Sequence, residues 1–476
     1  MDEYTANATD AHVGCAWRDE FAWDFLTALT EVGSRLGASP GEERAANLVA
    51  IAFEESGADP SIEPFPMRRW RRGTASLSVR APGSEFPKRD ATGDSDGSAH
   101  DDGALSESGE DGIERSFETY ALPYSPAGRV RGRLVDVGNG TPEAIDAADL
   151  DGRVAVSGTE TPTGRRYVHR MEKFGHAIDG GALGVIFANH VPGQLPPTGS
   201  LKFDLEADAP GVGVSAETGA WLREYAGRGG EAVLDVEART EEGTGHNVIG
   251  TLGPETDEAV VVVAHYDAHG VAEGALDNGC GITVLAAATR LLSRFDLDRT
   301  VRVVATSGEE LGLVGAEALA SDLDLDRVLA AINVDGAGRS RDLRAISHGS
   351  ADLEALATRV VEGAGHPLAV DSSPHPYSDH WPFLRAGVPA VQFHSERLGS
   401  TGQWDRGWTH TRADTRDKVD RRNLREHGIL VSLVVRELAN SNTEIDRVPP
   451  ETTRERLREA GAEPGMRAAG VWPDGW

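Results

Sequence analysis

An unbroken run of apolar residues at 259–264, most of them valine, is the feature of this 476-residue chain that most constrains its fold. Such a run is typical of a central strand in a parallel sheet, where both faces are buried. Segments with strand and helix patterns then alternate toward the C-terminus, which predicts an α/β domain with a mainly parallel sheet. The further strand candidates are 300–306, 328–334 and 388–393, and the helix candidates are 312–321, 351–363 and 420–440.

Two segments before residue 241 have a different character. Residues 118–240 contain short β-like runs separated by glycine and proline, which predicts a small β-rich domain. Residues 84–114 are rich in Asp, Glu, Gly and Ser and poor in apolar residues, so we expect an acidic disordered loop there. Before them, a capping serine, Ser39, and the following Pro40 predict the start of a helix over 39–57.

The charge balance limits the partners that this chain can have. Acidic residues outnumber basic ones by 77 to 47, and the formal net charge is −30. This charge disfavours nucleic acid and anionic membranes as partners. Only four of the basic residues are lysine and the other 43 are arginine. Abundant carboxylates are soluble where salt screens their repulsion, so we expect a halophile-like background.

Targeting signals and cysteine frameworks are not evident in the sequence. The N-terminus is acidic and lacks the apolar core of a signal peptide, and no apolar stretch reaches 18 residues. The sequence therefore predicts a cytoplasmic protein without a membrane segment. The two cysteines, Cys15 and Cys280, are too few for a disulfide framework or a thiolate zinc site.

Acids and a histidine follow three of the predicted strands directly. His265 and Asp267 come after the 259–264 strand, Glu309 and Glu310 come after the next one, and Asp335 comes after the third. In open α/β sheets, ligands bind beyond the carboxyl ends of the strands. Buried charges at such an edge are costly unless they are paired or hold a metal ion. The sequence therefore predicts a metal site at this edge.

The number and kind of donors indicate which metal this site binds. Imidazole and carboxylate donors together suit zinc, with cobalt or manganese as alternatives. Five donors exceed what one tetrahedral zinc ion needs, but they fit two ions that share a bridging carboxylate. Asp277, at the head of the helix that follows the first strand, is our candidate for the bridge. The five predicted metal ligands are His265, Asp277, Glu310, Asp335 and His410.

The adjacent acids Glu309 and Glu310 indicate a division of labour. Neighbouring side chains cannot easily perform the same task, so one binds a metal ion while the other faces the water that the metal activates. A free carboxylate in that position accepts the proton of the water and passes it to the leaving group. Asp267, two residues after His265, is placed to accept the second ring proton of that histidine and to orient it.

Six short motifs resemble those of the M28 family of zinc aminopeptidases and occur in the order found in that family. The resemblance is strong over residues 243–440 and weaker over 17–70. The region 118–240 also resembles a protease-associated (PA) domain. The motifs are His265-Tyr266-Asp267, Gly274-Ala275-Leu276-Asp277-Asn278, Ser307-Gly308-Glu309-Glu310-Leu311-Gly312, Asn333-Val334-Asp335, Ser378-Asp379-His380-Trp381-Pro382-Phe383 and His410-Thr411-Arg412-Ala413-Asp414-Thr415.

The resemblance implies a fold, a reaction and a role for each site residue. The fold would be a three-layer α/β/α peptidase domain, split into 17–75 and 241–440 around an inserted PA-like domain, with 441–476 as a C-terminal tail. The reaction would be hydrolysis of peptide substrates at the N-terminus, by a metal-bridging hydroxide with Glu309 as the general base. Two Zn²⁺ ions are implied, one bound by His265 and Asp335, the other by Glu310 and His410, with Asp277 bridging them.

Some assignments stay open at this point. The same metal centre is compatible with a carboxypeptidase or another amide hydrolase, as in the M20 hydrolases, and a receptor-like relative without activity is a further alternative. Some M28 members have a tyrosine just before the last histidine ligand, where this chain has Thr409, so Tyr377 is our candidate for stabilising the oxyanion. Four further histidines near the motifs are not expected to be ligands: His269, His375, His380 and His394.

Overall fold

The computed structural model describes residues 3–82, 112–396 and 407–476, which form fourteen strands and thirteen α-helices. The strands are β1 Ser61–Pro82, β2 Gly112–Phe117, β3 Tyr120–Ala121, β4 Gly128–Asp136, β5 Val154–Gly158, β6 Gly184–Ala188, β7 Gly211–Val214, β8 Glu231–Leu252, β9 Ala259–His265, β10 Thr300–Thr306, β11 Val328–Val334, β12 Asp342–Ile346, β13 Leu368–Asp371 and β14 Ala390–Glu396. The helices are α1 Glu3–Ala16, α2 Phe21–Glu31, α3 Pro40–Glu55, α4 Pro142–Asp146, α5 Arg170–Asp179, α6 Ala216–Gly227, α7 Cys280–Leu292, α8 Val314–Asp322, α9 Ala351–Gly363, α10 Trp381–Arg385, α11 Arg421–Leu438, α12 Pro450–Glu459 and α13 Glu463–Ala468.

The larger domain is built on a mixed sheet with the strand order β13-β12-β14-β11-β9-β10-β8. Its four central strands, β14, β11, β9 and β10, are parallel to one another. Strands β12 and β8 run antiparallel to their neighbours in this central group. The prediction of an α/β fold with a mainly parallel central sheet is confirmed, and the antiparallel flanks make the sheet mixed.

Helices cover both faces of this sheet because its central strands are apolar on both sides. The four valines of β9 have no exposed surface. On one face, α2, α3, α7, α9 and α11 pack into the largest core cluster. The other face is covered by α8, α10, α12 and α13 through residues such as Trp381, Leu457 and Met466. The tail after residue 440, to which sequence analysis assigned no fold, thus supplies two helices of the second layer.

A long two-stranded ribbon connects the larger domain to the inserted one. Strands β1 and β8 are each 22 residues long and pair antiparallel from Ser61 opposite Ile249 to Arg80 opposite Glu231. One end of β8 pairs with β10 in the sheet of the larger domain, and its other end pairs with β4. The inserted domain continues from β4 in the order β5-β6-β7-β3. The predicted insertion of a second, β-containing domain within the α/β domain is therefore part of the fold.

The predicted local boundaries agree with the structure where it describes them. Helix α3 begins as expected, since the Ser39 side chain accepts a hydrogen bond from the Glu42 amide at 3.1 Å. Residues 84–111 of the predicted acidic loop lie outside the described residues, and 112–114 belong to strand β2. No helix among the described residues is both long enough and apolar enough to cross a membrane.

Candidate metal centre

Three adjacent parallel strands deliver the predicted residues to one edge of the sheet. His265 is the last residue of β9, Glu309 and Glu310 follow β10, and Asp335 follows β11. Because β10, β9 and β11 are neighbours, these side chains converge beyond the carboxyl ends of their strands. His410 reaches the same place from the loop before α11, with a left-handed φ of 59°.

Asp277 lies between two histidines that come from distant parts of the chain. Its Oδ1 is 3.5 Å from His265 Nε2, and its Oδ2 is 3.3 Å from His410 Nε2. The two oxygens of one carboxylate therefore face two different imidazoles. This is the arrangement that a carboxylate shared between two cations requires, and Asp277 is the residue for which sequence analysis predicted that role.

The remaining donors group around these two imidazoles. Around His265, the donor atoms of Glu309 and Asp335 lie within 4.8 Å of one another and of the imidazole. Around His410, Glu310 Oε2 approaches Nε2 to 3.2 Å. These side chains are buried, except for Glu309, which is partly exposed to the cleft. So many buried acids are stable only if they are paired with cations or share protons.

The pKa values of the two adjacent glutamates shift in opposite directions. Burial raises the pKa of Glu309 well above its usual value, and the charges of Glu310 and Asp335 act in the same direction. Burial also opposes ionisation of Glu310, but nearby histidines outweigh it and lower the pKa of that carboxyl. One carboxylate thus stays ionised while its neighbour readily binds a proton, and such a pair can divide two chemical tasks.

Asp267 is fully buried behind His265. The imidazole Nδ1 lies 3.4 Å from Asp267 Oδ1 and 3.3 Å from the Asp267 carbonyl oxygen. The same carboxylate accepts a hydrogen bond from the Glu309 amide at 3.3 Å. Asp267 thereby links the β9 loop to the β10 loop, in a position to orient both His265 and Glu309, as sequence analysis expected for His265.

The loop that carries Asp277 is held from two sides by residues that sequence analysis did not single out. Asp414 accepts hydrogen bonds from the amides of Leu276 and Asp277, at 2.6 and 3.2 Å. Arg35, which is fully buried, donates to the carbonyl oxygens of Tyr266 and Gly274. Asp414 lies in the motif that begins at His410, but nothing in the local sequence around Arg35 indicates its position.

Arg339 is a second residue that sequence analysis missed. Its Nη2 lies 3.0 Å from Asp277 Oδ1 and 3.6 Å from Asp335 Oδ1, and its Nε donates to the Leu276 carbonyl. The arginine therefore places a fixed positive charge beside two of the predicted ligands. Its spacing from Asp335 matches none of the six motifs.

The inserted domain contributes directly to the site. The Thr198 amide donates to the His410 carbonyl at 2.9 Å, and His410 Nδ1 lies 3.2 Å from the Thr198 carbonyl. The Ser200 hydroxyl donates to the Glu310 carbonyl. Residues from both domains line a cleft over the acid cluster, with an empty volume of about 690 Å³. The inserted domain supplies Tyr167, His169, Arg170, Ser200 and Phe203 to its wall.

Tyr377 and the additional histidines have different surroundings. Tyr377 lines the cleft and its ring stacks on His169, with the ring centroids 4.4 Å apart. His380 is buried and contacts Asn333, and His394 contacts Arg339. His269 alone among the four histidines that were left out as ligands joins the donor cluster, with its Nε2 2.7 Å from Glu310 Oε2.

Comparison with known proteins gives matches over both domains. Residues 247–435 match the family model of peptidase family M28, and residues 130–222 match that of the PA domain. The chain is 24% identical to aminopeptidase YwaD of Bacillus subtilis, over 94% of this chain and 90% of that protein. It is 28% identical to leucine aminopeptidase 2 of Trichophyton equinum, over 61% of this chain and 60% of the fungal one.

Two solved structures share the whole architecture. A peptidase M28 precursor from Shewanella amazonensis superposes with a TM-score of 0.70 at 23% identity, over 94% of this chain and all of the other. BSAP, a zinc aminopeptidase from Bacillus subtilis, superposes with a TM-score of 0.66 at 24% identity, over 90% of this chain and 98% of the other. At this identity the likeness concerns the fold.

The fold, the acid and histidine cluster and these matches together define a hydrolase of the metallopeptidase class. Residues 247–435 match peptidase family M28, and the domain inserted before them matches the PA domain over residues 130–222.

Proposed function

We propose that this chain is a co-catalytic two-metal peptidase that releases amino acids from the N-terminus of peptides. The observation that carries the proposal is the position of Asp277, whose two carboxylate oxygens face His265 and His410 separately. His265 and Asp335 would bind one ion, Glu310 and His410 would bind the other, and Asp277 would bridge them. The buried imidazole and carboxylate donors that converge in this cluster fit such a pair of cations.

Zinc is the proposed metal. The donor set combines imidazole nitrogens with carboxylate oxygens, which suits Zn²⁺ and also permits Co²⁺ or Mn²⁺. BSAP, which shares the fold, is a zinc aminopeptidase. Bound at these residues, the ions would supply Lewis acidity to the scissile carbonyl and would acidify a water molecule.

Glu309 is the proposed general base and acid. It follows β10 directly, lines the cleft and lies beside His265 and Asp335 without being enclosed as its neighbour Glu310 is. Its raised pKa suits a group that accepts a proton from water and returns it to the leaving amine. Asp267 would act through its contacts with His265 Nδ1 and the Glu309 amide, which hold both residues in place.

The charge of the cleft favours a substrate with a free amino group. Residues of the inserted domain and the metal-site acids Asp277, Glu309, Glu310 and Asp335 line it together. These carboxylates attract a free α-amino group, and YwaD and the fungal relative are both named aminopeptidases. These features support cleavage at the N-terminus.

Cleavage next to a free C-terminus is a second candidate, and Arg170 is the observation that favours it. This arginine, at the first position of α5, lines the cleft beside the metal-site residues, with its Nε bonded to the Ser200 carbonyl. A guanidinium that faces a small cleft is suited to binding a carboxylate. A substrate carboxylate bound there would place the C-terminal end of a short peptide in the cleft.

A substrate panel distinguishes the two candidates. Wild-type enzyme, with its metal content determined, is assayed in molar KCl on free dipeptides, N-acetylated dipeptides and C-amidated dipeptides. We chose high salt because the few lysines and many acids support a halophile-like background. Cleavage of the C-amidated but not the N-acetylated substrates supports the aminopeptidase. The opposite pattern supports the carboxypeptidase, and a metal-loaded enzyme that cleaves none of them contradicts both.

A further inference from the structure

His269 occupies an unexpected position in the metal centre. It lies in the loop after β9 and is only 5% exposed. Its Nε2 is 2.7 Å from Glu310 Oε2, and its ring centroid is 4.3 Å from that of His410, with the two planes at 79°. The donor atoms of His269, Glu310 and His410 lie within 4.8 Å of one another. One donor atom from each of two imidazoles and one carboxylate thus lies close enough to the others to bind the same ion.

The hydrogen bonding of His269 is incomplete. Neither ring nitrogen has a hydrogen-bond partner of acceptable geometry within the part of the chain that the structure describes. The approach of Nε2 to Glu310 is close, but it is not aligned as a hydrogen bond. A buried polar group without a partner costs about 1–3 kcal/mol, so it requires an explanation. A cation between His269, Glu310 and His410 provides one, since it coordinates the imidazole lone pair.

The other histidines outside the predicted ligand set do not share this arrangement. His380 Nε2 contacts the His375 carbonyl, and His394 Nδ1 contacts the Ser395 carbonyl. Both are engaged by the backbone, whereas His269 is directed at the carboxylate of a predicted ligand.

We propose that His269 is a sixth metal ligand, which binds the ion held by Glu310 and His410. The inference rests on the proposed two-metal function. The ion at Glu310 would then have four protein donors, namely His269, Glu310, His410 and the shared Asp277. The ion at His265 would have three, with Asp335 and Asp277. The two positions are therefore unequal, and the four-donor position fills first.

Cobalt titration of the full-length apoprotein tests this directly. Co²⁺ shifts the resonances of imidazole N–H protons on its ligands far outside the normal proton spectrum. With one equivalent of Co²⁺, we expect two such signals in the wild type, from His269 and His410, and one in His269→Gln. Calorimetry with Zn²⁺ should show that the affinity of the tighter site falls by about 100-fold or more in the variant. Loss of a residue that only hydrogen-bonds to a ligand already lowers metal affinity by about 10–100-fold. His190→Gln, which alters an exposed histidine of the inserted domain, is the matched control.

A second variant keeps the test independent of folding defects. His269→Cys replaces the imidazole with a thiol, and a thiolate bound to Co²⁺ produces an intense near-ultraviolet charge-transfer band. We expect this band with the first equivalent of Co²⁺ in His269→Cys and not in the wild type, whose own cysteines are Cys15 and Cys280. Circular dichroism identifies a glutamine or cysteine variant that is unfolded. A folded cysteine variant that binds Co²⁺ without showing the band would overturn the proposal.

The outcomes separate this inference from the function on which it rests. Two bound ions with a single shifted imidazole signal for each equivalent would overturn the role of His269 and leave the two-metal peptidase intact. A wild-type chain that binds no Co²⁺ or Zn²⁺ would overturn the proposed function itself, and this inference with it.

Discussion

Thr198 and His410 are joined by a reciprocal pair of contacts across the domain boundary. The Thr198 amide donates to the His410 carbonyl at 2.9 Å, and His410 Nδ1 lies 3.2 Å from the Thr198 carbonyl. If Nδ1 donates this proton, Nε2 carries the lone pair and faces Glu310 and Asp277. The inserted domain therefore sets the tautomer and orientation of a proposed ligand, and it does more than form a wall of the cleft.

The amide of Thr198 can be removed without changing the side chains of the metal centre. Thr198→Pro lacks the N–H that donates to His410, so we expect the metal affinity to fall by about 10–100-fold. Thr198→Ala keeps the N–H and loses only the side-chain contact with Arg72. It should bind metal nearly as the wild type does. Zinc calorimetry on both variants measures the difference, and equal affinities would show that the Thr198 amide does not support His410.

Glu309→Gln should abolish most activity without releasing metal. The amide keeps the size of the side chain but cannot accept the proton, and such groups contribute about 10²–10⁴-fold to the rate. We expect kcat to fall by that factor with KM nearly unchanged, as measured on the peptide substrate that the wild type cleaves best. Elemental analysis should give the same metal content as the wild type. A variant that loses its metal would instead identify Glu309 as a ligand.

Asp414→Asn tests the support of the Asp277 loop. The carboxylate accepts from two consecutive amides, at Leu276 and Asp277, and an asparagine can accept only one of these bonds. We expect metal affinity and kcat to fall by about 10–100-fold together, because Asp277 loses its fixed position. Asp417→Asn, on the exposed turn nearby, is the control. If both variants resemble the wild type, Asp414 does not position the loop.

Tyr377→Phe tests the proposed oxyanion donor. Burial raises the pKa of Tyr377, so its phenol keeps its proton and can donate from the cleft wall. Loss of an oxyanion donor costs about 10²–10³-fold in kcat. Thr409, which also lines the cleft, is the competing donor, so Thr409→Val is assayed in parallel. The variant with the larger loss in kcat identifies the donor, and two small losses would exclude both residues.

His427 should make stability depend on pH. Its Nδ1 accepts from the Gly338 amide at 2.8 Å, and its Nε2 lies 2.8 Å from the Arg341 carbonyl, so the neutral ring is required. Burial lowers the pKa of His427 to about 4, below the value of about 6.5 for an unfolded histidine. As the pH falls, the unfolded chain binds this proton first. The stabilisation is therefore complete above about pH 6.5 and is lost toward pH 4, by roughly 3 kcal/mol.

The variant His427→Gln isolates this contribution. We expect it to melt at a lower temperature than the wild type at pH 7, because a buried partner of Gly338 and Arg341 is changed. Between pH 6.5 and 4 the difference in Tm should shrink, since only the wild type loses the stabilisation of the neutral imidazole. Melting curves at several pH values measure it. A constant difference in Tm would contradict the assignment.

Much of the peptidase domain could be predicted because its strands are short and apolar, and because the candidate site residues follow them directly in the sequence. The predicted strand at 328–334 coincides with β11, and the predicted helix at 351–363 coincides with α9. The long strands β1 and β8 could not be predicted in the same way. Strand β1 is exposed over much of its length, and residues 237–244 of β8 are not buried, so neither strand has a continuous apolar pattern, and pairing with each other stabilises both.

The same distinction holds for the site. Residues at strand ends, such as His265 and Asp335, are placed by the sheet, so the sequence alone predicts that they converge. Arg35 and Arg339 come close to the Asp277 loop only through tertiary packing, and no spacing indicates them. A single histidine in a loop is usually not a metal ligand, so the sequence gives no indication that His269 is one. Only the distance to Glu310 brings it into the metal centre.

The β1–β8 ribbon also affects how the chain folds. Ser61 pairs with Ile249 across the entire insertion, so this edge of the peptidase sheet closes only when distant segments of the chain meet. The entropic cost of closing a loop grows with its length, but a segment that has already collapsed shortens the effective loop. Early folding of the inserted domain therefore brings the two strands together and speeds closure of the sheet.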